Sequence, residues 1–256
     1  MRTPWPYPFW IAHRGAGKRA PENTLAAFRE GGARGFRMFE CDVKLSSDDV
    51  PFLLHDSALE RTSSGVGRAG LHPWAALSRL DAGTWHSPAF AGEPLPTLEA
   101  IARWLLANGH AVNLEIKPTP GTETRTGQVV ARAAAALWSA SLPAPLLSSF
   151  NVPALAAAAA AAPALPRALL LEDLWDGWLE TAETLGCCAV VTHHPLMDAA
   201  LVARLHDAGK RALVYTVNDA ATAEALRAAG VDGIITDEVD LFSHAARAGG
   251  GFRPPA

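Results

Sequence analysis

The sequence predicts a closed (β/α)8 barrel of the TIM type, and three observations carry that prediction. Short apolar runs alternate with stretches of helical period, the pattern of repeated strand and helix units around a parallel sheet. Eight such runs can be counted along the chain. Its 256 residues and 49% hydrophobic composition supply enough apolar mass for one large core, so residues 1–256 are expected to form one barrel domain.

In chain order the runs are Phe9 to His13, Met38 to Val43, Ala111 to Ile116, Leu146 to Phe150, Arg167 to Leu171, Cys188 to Thr192, Ala212 to Val217 and Gly233 to Thr236. Between them, Leu98, Ile101, Ala102 and Leu105 follow helical spacing behind a Thr97 N-cap. Val129, Val130, Ala133, Ala134 and Leu137 do the same, giving two amphipathic helices with one face for the barrel wall. The run Ala156 to Ala162 reads as a helix that packs closely on a sheet, because alanine has the best helix propensity. One segment breaks the rhythm. About residues 56–96, between the second and third runs, the chain is rich in Gly, Ser and Pro and carries Trp74, Trp85 and Phe90. It is too long for a simple connecting loop, and reads as a small insertion after the second barrel strand, either a surface excursion with its own hydrophobic cluster or a cap over the barrel mouth. The cap is the reading we carry forward.

Charge and composition exclude several classes of function. A formal net charge of -4 offers no broad basic surface for nucleic acid. The three cysteines, Cys41, Cys187 and Cys188, have neither zinc-site nor disulfide-framework spacing and read as reduced thiols. The Pro-rich start, Met1 to Pro8, lacks the apolar core of a signal peptide, and the alanine-rich stretch Pro153 to Leu171 is broken by Pro163, Pro166 and Arg167. A cytoplasmic protein without stable membrane insertion is therefore expected, and self-association into a homo-oligomer is left open.

The chemistry-bearing residues cluster at the ends of these runs. Residues two apart on a strand share a face, so Glu40 and Asp42 project together while Cys41 faces the helices, and Glu115 pairs likewise with Lys117. In a barrel the C-terminal strand ends form the catalytic rim, which brings three carboxylates together. Two like charges about 4 Å apart repel by roughly 4 kcal/mol at an effective dielectric of 20, so the cluster needs a positive partner. Oxygen ligands with room for water suit a hard divalent cation, Mg²⁺ or Ca²⁺; alternatively the acids pair with Lys and Arg on separate surfaces. At the first run, His13-Arg14-Gly15-Ala16-Gly17 places a planar guanidinium and two glycines where an anion could be met. His55, in Leu54-His55-Asp56, leaves a further apolar stretch with an acid beside it. His193 and His194 end another run, but neighbouring strand residues face opposite ways, so they are not expected to share an ion.

The ordered set Ala12-His13-Arg14-Gly15, Pro21-Glu22-Asn23-Thr24, Glu40-Cys41-Asp42, Leu54-His55-Asp56, Glu115-Ile116-Lys117, Ser148-Ser149-Phe150, Tyr215-Thr216-Val217-Asn218 and Thr236-Asp237 resembles the signature of the glycerophosphodiester phosphodiesterase family. The stretches Leu59 to Ser63, Leu80 to Trp85 and Phe90 to Thr97 resemble the insertion of its bacterial members, and the likeness is greatest to the cytosolic bacterial type. One departure is Glu238, where many relatives have a proline after the acid. The resemblance implies a (β/α)8 barrel, one divalent cation (Mg²⁺ or Ca²⁺) held by Glu40, Asp42 and Glu115, and His13 and His55 as general acid and base. It also implies Arg14 and Lys117 as phosphate contacts and Phe150 and Asn218 as residues near the substrate.

The implied reaction hydrolyses small glycerophosphodiesters, such as glycerophosphocholine or glycerophosphoethanolamine, to glycerol 3-phosphate and an alcohol. In the implied mechanism the cation activates the adjacent glycerol hydroxyl for attack on phosphorus, and water then opens a cyclic phosphate. Such an activity belongs to glycerol and lipid metabolism. Two rivals remain on sequence grounds: a phospholipase C or D, or lysophospholipase D, on the same barrel, and a barrel that binds a phosphorylated metabolite without turnover.

Overall fold

Each of the eight apolar runs forms a strand, and the strands close on themselves. The computed structural model describes residues 5–139 and 143–248, so the first half of the Pro-rich start lies outside the described residues. The strands are β1 (Trp10–Ala12), β2 (Met38–Leu45), β3 (Pro51–Leu53), β4 (Ala111–Ile116), β5 (Leu146–Ser149), β6 (Arg167–Leu171), β7 (Ala189–His193), β8 (Arg211–Tyr215) and β9 (Gly233–Thr236). All except β3 are parallel, in the order β1-β2-β4-β5-β6-β7-β8-β9, and β9 returns to pair with β1. The ring is therefore a closed eight-stranded barrel.

The ninth strand follows from the length of β2. Its last residues overshoot the barrel, and β3 pairs with them antiparallel, Val43 opposite Leu53 and Leu45 opposite Pro51. The Leu54 amide then donates to the Asp42 carbonyl at 3.1 Å, which delivers His55 to the neighbourhood of the acidic strand.

The helices are α1 (Leu25–Ala33), α2 (Trp74–Leu77), α3 (Leu98–Ala107), α4 (Glu123–Leu137), α5 (Val152–Ala161), α6 (Trp178–Thr184), α7 (Ala199–Asp207), α8 (Ala220–Ala229) and α9 (Ser243–Arg247). Five of them start on a side-chain cap, from Thr24, Thr97, Asn151, Asp198 and Asp219, each accepting a backbone N–H three residues on. Such a cap contributes about 1 kcal/mol by satisfying an otherwise unpaired donor. The alanine run becomes α5 and packs closely on α4, where a Cβ added to Gly127 would lie 2.1 Å from the Ala154 carbonyl oxygen. No helix among the described residues is long and apolar enough to cross a membrane.

Strand alternation divides the core in two. Ile11, Met38, Ala111, Leu146, Ala168, Leu170, Ala189, Val191, Leu213 and Ile235 fill the barrel, with Tyr7 packed among them and its hydroxyl donating to the Ala144 carbonyl. Phe39, Cys41, Val43, Leu114, Leu169, Val190 and Val214 face outward into the larger layer shared with the helices. The insertion has a third cluster of Phe52, Leu54, Leu59, Ala69, Leu77, Ala82 and Leu95, with Trp74 packed against it. Trp85 and Phe90 stand outside that cluster: Trp85 is 40% exposed, and Phe90 packs on the main core.

The two adjacent histidines differ from expectation. β7 ends at His193 and the chain turns at once into a 3-10 helix at His194–Leu196, so the rings meet edge to face, 5.3 Å between centroids, rather than on opposite faces.

Candidate active site

The inward alternation that fills the barrel with apolar side chains continues upward into polar ones. Above Met38 on β2 come Glu40, Asp42 and Lys44, and above Ala111 on β4 come Asn113, Glu115 and Lys117. The register sets Asp42 beside Glu115 and Glu40 beside Asn113. One carboxylate oxygen each from Glu40, Asp42 and Glu115 then lies within 4.8 Å of the others.

The positive charge demanded by that cluster is supplied in part by neighbours. The Lys117 ammonium donates to Asp42 at 3.2 Å and Glu115 at 3.0 Å, and Arg14 Nε lies 3.5 Å from Asp42. Burial works to raise the Asp42 carboxyl, but Lys117, Arg14, His55 and the Asn23 amide outweigh it and hold that carboxyl well below the usual range. Glu115 receives less, and burial together with Asp42 pushes it up to about 7. Burial and the two other carboxylates raise Glu40 well above its ordinary value. The trio is therefore short of positive charge, and Glu40 and Glu115 are harder to ionise than free carboxylates.

Buried polar atoms without partners mark the same place. Among the described residues, Glu40 Oε1 and both side-chain polar atoms of Asn113 find no hydrogen-bond partner, and both residues line a cavity of about 30 Å³ with His13 and Glu115. An all-oxygen donor set, an unpartnered buried carboxylate oxygen and a deficit of positive charge fit a hard divalent cation. Its positive charge would favour the ionised forms of Glu40 and Glu115.

Two imidazoles flank the acids, and both are built alike. His13 follows β1, its Nδ1 is 2.6 Å from Asp237 Oδ1, and its Nε2 lies 3.7 Å from Glu40. His55 Nδ1 is 2.7 Å from Asp56 Oδ1. A carboxylate can only accept, so each histidine carries its proton on Nδ1 when neutral and keeps Nε2 for the site. Burial, aided by Lys117 and Arg14, lowers His55 from its ordinary range despite Asp42 and Asp56. That shift favours the neutral imidazole at His55.

The charges behind them form a chain. Asp56 is bound by Arg61, Arg61 donates through both terminal nitrogens to Glu22, and Glu22 accepts from Arg14 at 2.9 Å. Arg14 and Asn23 adopt left-handed backbone, φ 50° and 59°, which side chains rarely tolerate. The Arg14 amide donates to Glu40, the Asn23 amide to the Arg14 carbonyl, and the Asn23 side chain both donates to and accepts from Asp42. These bonds hold the two residues in that conformation. Close packing adds to them, since a Cβ on Gly31 of α1 would lie 2.2 Å from the Gly15 carbonyl oxygen.

Two larger cavities open from His13 and Arg14. One, about 440 Å³, is lined by Gly17, Lys18, Glu22, Trp85, His86 and Asp237, so the insertion forms one wall. The other, about 410 Å³, is lined by His55, Glu115, Lys117, Phe150, Glu172 and Tyr215. Of the residues singled out from sequence, His13, His55, Glu40, Asp42, Glu115, Arg14, Lys117 and Phe150 thus meet at one end of the barrel. Asn218 stands one step back. Its amide donates to Asp237 Oδ2 at 2.9 Å and its oxygen accepts from the Asp237 amide, so it orients the partner of His13.

Sequence reasoning had not assigned Asp237, Glu22, Arg61, Lys44 or Glu172 to the site. Asp237 and Glu172 each sit two residues beyond an inward apolar side chain, Ile235 and Leu170, and carrying the period of two past the strand end would have placed both. Glu22 and Arg61 carry no comparable signal, because each lies in a loop.

Comparison with known proteins agrees with this geometry. Residues 13–241 match the model of the glycerophosphoryl diester phosphodiesterase family. A glycerophosphodiester phosphodiesterase of Caldanaerobacter subterraneus is 31% identical over 94% of this chain and 98% of its own. One from Bacillus subtilis is 29% identical over 91% of this chain and 84% of its own. The crystal structure of an Oleispira antarctica phosphodiesterase with the product sn-glycerol-3-phosphate superposes with a TM-score of 0.86 at 34% identity, covering 94% and 96% of the two chains. The chain belongs to the glycerophosphoryl diester phosphodiesterase family.

Proposed function

We propose that this chain hydrolyses small glycerophosphodiesters to glycerol 3-phosphate and an alcohol, with His13 and His55 exchanging protons with the reacting oxygens. The observation that carries the reading is the pair of imidazoles, each oriented through Nδ1 by a carboxylate, on either side of a three-carboxylate cluster. Binding a metabolite without turnover would need no such pair.

Glu40, Asp42 and Glu115 would hold one divalent cation, Mg²⁺ or Ca²⁺, which supplies neutralisation of the acids and polarisation of the phosphoryl oxygen when bound. Arg14 and Lys117 present cationic groups beside Asp42 and meet the phosphate. One imidazole accepts the proton of the adjacent glycerol hydroxyl as its oxygen attacks phosphorus. The other protonates the departing alcohol, and water then opens the cyclic phosphate with the two roles reversed. Phe150, at the rim of the second cavity, contacts substrate, and Asn218 acts through Asp237.

The insertion, about residues 56–96, serves as a cap on the one barrel domain, since Trp85 and His86 line a cavity shared with His13. Three free thiols fit a reducing compartment, and we place the protein in the cytoplasm, in glycerol and lipid metabolism. The partners are small molecules, with neither nucleic acid nor membrane insertion involved.

The test is release of choline from glycerophosphocholine and from lysophosphatidylcholine, with Mg²⁺ or Ca²⁺ and after chelation. Metal-dependent turnover of the water-soluble diester is expected. Preference for the lysolipid would favour a lysophospholipase D, and no turnover of either would revive a binding role.

A further inference from the structure

The two cavities at His13 differ in one respect that bears on substrate choice. In the cavity walled by the insertion every charge is already paired: Glu22 with Arg14 and Arg61, Asp237 with His13, and Lys18 with Glu238. In the other, Glu115 is paired with Lys117. Glu172 forms no ion pair or hydrogen bond among the described residues, and it is exposed. Among the described residues it is the one carboxylate lining either cavity without a cationic partner.

Its surroundings are aromatic. Glu172 directly follows Leu171 at the end of β6, and the Tyr215 hydroxyl donates to the Leu171 carbonyl at 3.1 Å, which fixes that ring beside it. The Tyr215 ring meets Phe150 edge to face at 5.6 Å and lies 6.0 Å from the His193 ring. Burial, with Glu172 and then Glu115 nearby, pushes the Tyr215 phenol above its ordinary range, so the ring stays neutral and keeps its electron-rich face. Phe150 remains 40% exposed, leaving its face open to a ligand.

We propose that Glu172, Phe150, Tyr215 and His193 form a subsite for an alkylammonium head group, so that this chain prefers diesters of choline or ethanolamine over those of neutral polyols. The proposal rests on the diester hydrolase reading above and adds which alcohol is selected. Aromatic faces attract a weakly hydrated cation, and the lone carboxylate supplies its counter-charge. A glycerol or inositol head group gains neither. The internally neutralised cavity under Trp85 then suits the uncharged glycerol half of the substrate.

Steady-state kinetics of the full chain with Mg²⁺ tests this on glycerophosphocholine and glycerophosphoglycerol. Glu172→Gln keeps the shape of an exposed side chain that holds no partner, so folding is preserved. The ratio of kcat/KM, choline diester over glycerol diester, should fall about five- to tenfold, mainly through KM, as expected for losing one charge contact to a partly exposed cation. Glu172→Lys should lower it further. Tetramethylammonium should inhibit the wild-type chain competitively and Glu172→Gln several-fold more weakly. An unchanged ratio with turnover intact, or equal losses on both diesters, overturns the head-group assignment alone. A wild-type chain that releases no glycerol 3-phosphate from either diester overturns the hydrolase reading, and this one with it.

Discussion

Replacing Asp237 by Asn tests whether the tautomer of His13 matters for turnover. In the wild-type site Asp237 accepts from His13 Nδ1 through one oxygen and from the Asn218 amide through the other. Burial opposes ionisation of Asp237, but His13, Asn218 and Arg14 together hold its carboxyl below the ordinary value, so it accepts at both oxygens. In Asp237→Asn the Asn218 NH₂ still requires an acceptor, which directs the new amide oxygen to Asn218 and the new NH₂ to His13. His13 Nδ1 must then accept, its proton moves to Nε2, and the nitrogen facing Glu40 loses its lone pair. The substitution is nearly isosteric, so packing around Gly17, where an added Cβ would lie 2.1 Å from the Asp237 carbonyl oxygen, is left intact. The expected cost is that of losing an acid–base group, a fall in kcat of about 10²- to 10⁴-fold. KM should move little, because Arg14 and Lys117 are untouched. The assay is glycerol 3-phosphate release under saturating substrate and metal, with Asp237→Ala as comparator. Alanine admits water, which can accept from Nδ1, so its loss should be smaller than that of Asn. Turnover of Asp237→Asn within threefold of wild type, or equal losses in the two variants, would refute the tautomer argument.

His55→Ala should lower kcat by about 10²- to 10⁴-fold with stability retained, and near-normal turnover would remove His55 from proton transfer. Exhaustive chelation, or Asp42→Asn in the presence of metal, should abolish turnover; hydrolysis that survives chelation rules out the cation. Gly127→Ala forces a Cβ to 2.1 Å from the Ala154 carbonyl and should cost about 1–3 kcal/mol in urea unfolding, with kcat unaffected. His110 packs beside Phe39 and Trp104, and burial, followed by Arg37, depresses its pKa from the ordinary 6.5. The unfolded chain therefore binds the proton first, and the stability contributed by neutral His110 is complete above 6.5 and lost as pH falls below it. The drop in unfolding free energy from about pH 7.5 to about pH 5.5 should be smaller in His110→Phe, and an equal drop in both proteins would exclude this residue as a source of acid sensitivity.

Much of the architecture was readable because strand periodicity is local. Each of the eight apolar runs supplied a barrel strand, and residues two apart did share a face, so the convergence of Glu40 and Asp42 followed from Phe39-Glu40-Cys41-Asp42-Val43. The Thr97 cap was legible for the same reason, since a hydroxyl three residues before the amide it accepts from is a short-range pattern. The antiparallel β3 was not. Its pairing depends on β2 outlasting the barrel wall, which no window of sequence displays. The edge contact of His193 and His194 likewise depends on the turn that ends β7, not on the alternation within it.

The sequence by itself therefore determined the barrel strands and the shared face of Glu40 and Asp42, because each is written in a spacing of two residues, while the rest of the acid and imidazole set was legible only through the family resemblance. Tertiary structure alone decided the partnerships. His13 and Asp237 are 224 positions apart and meet only because β9 closes the ring against β1. Asn218 turns to Asp237, Lys117 bridges Asp42 and Glu115, and Glu172 is left unpaired for the same physical reason. Which charges neutralise one another depends on distances of about 3 Å between chain-distant side chains, and those distances exist only once the barrel has closed.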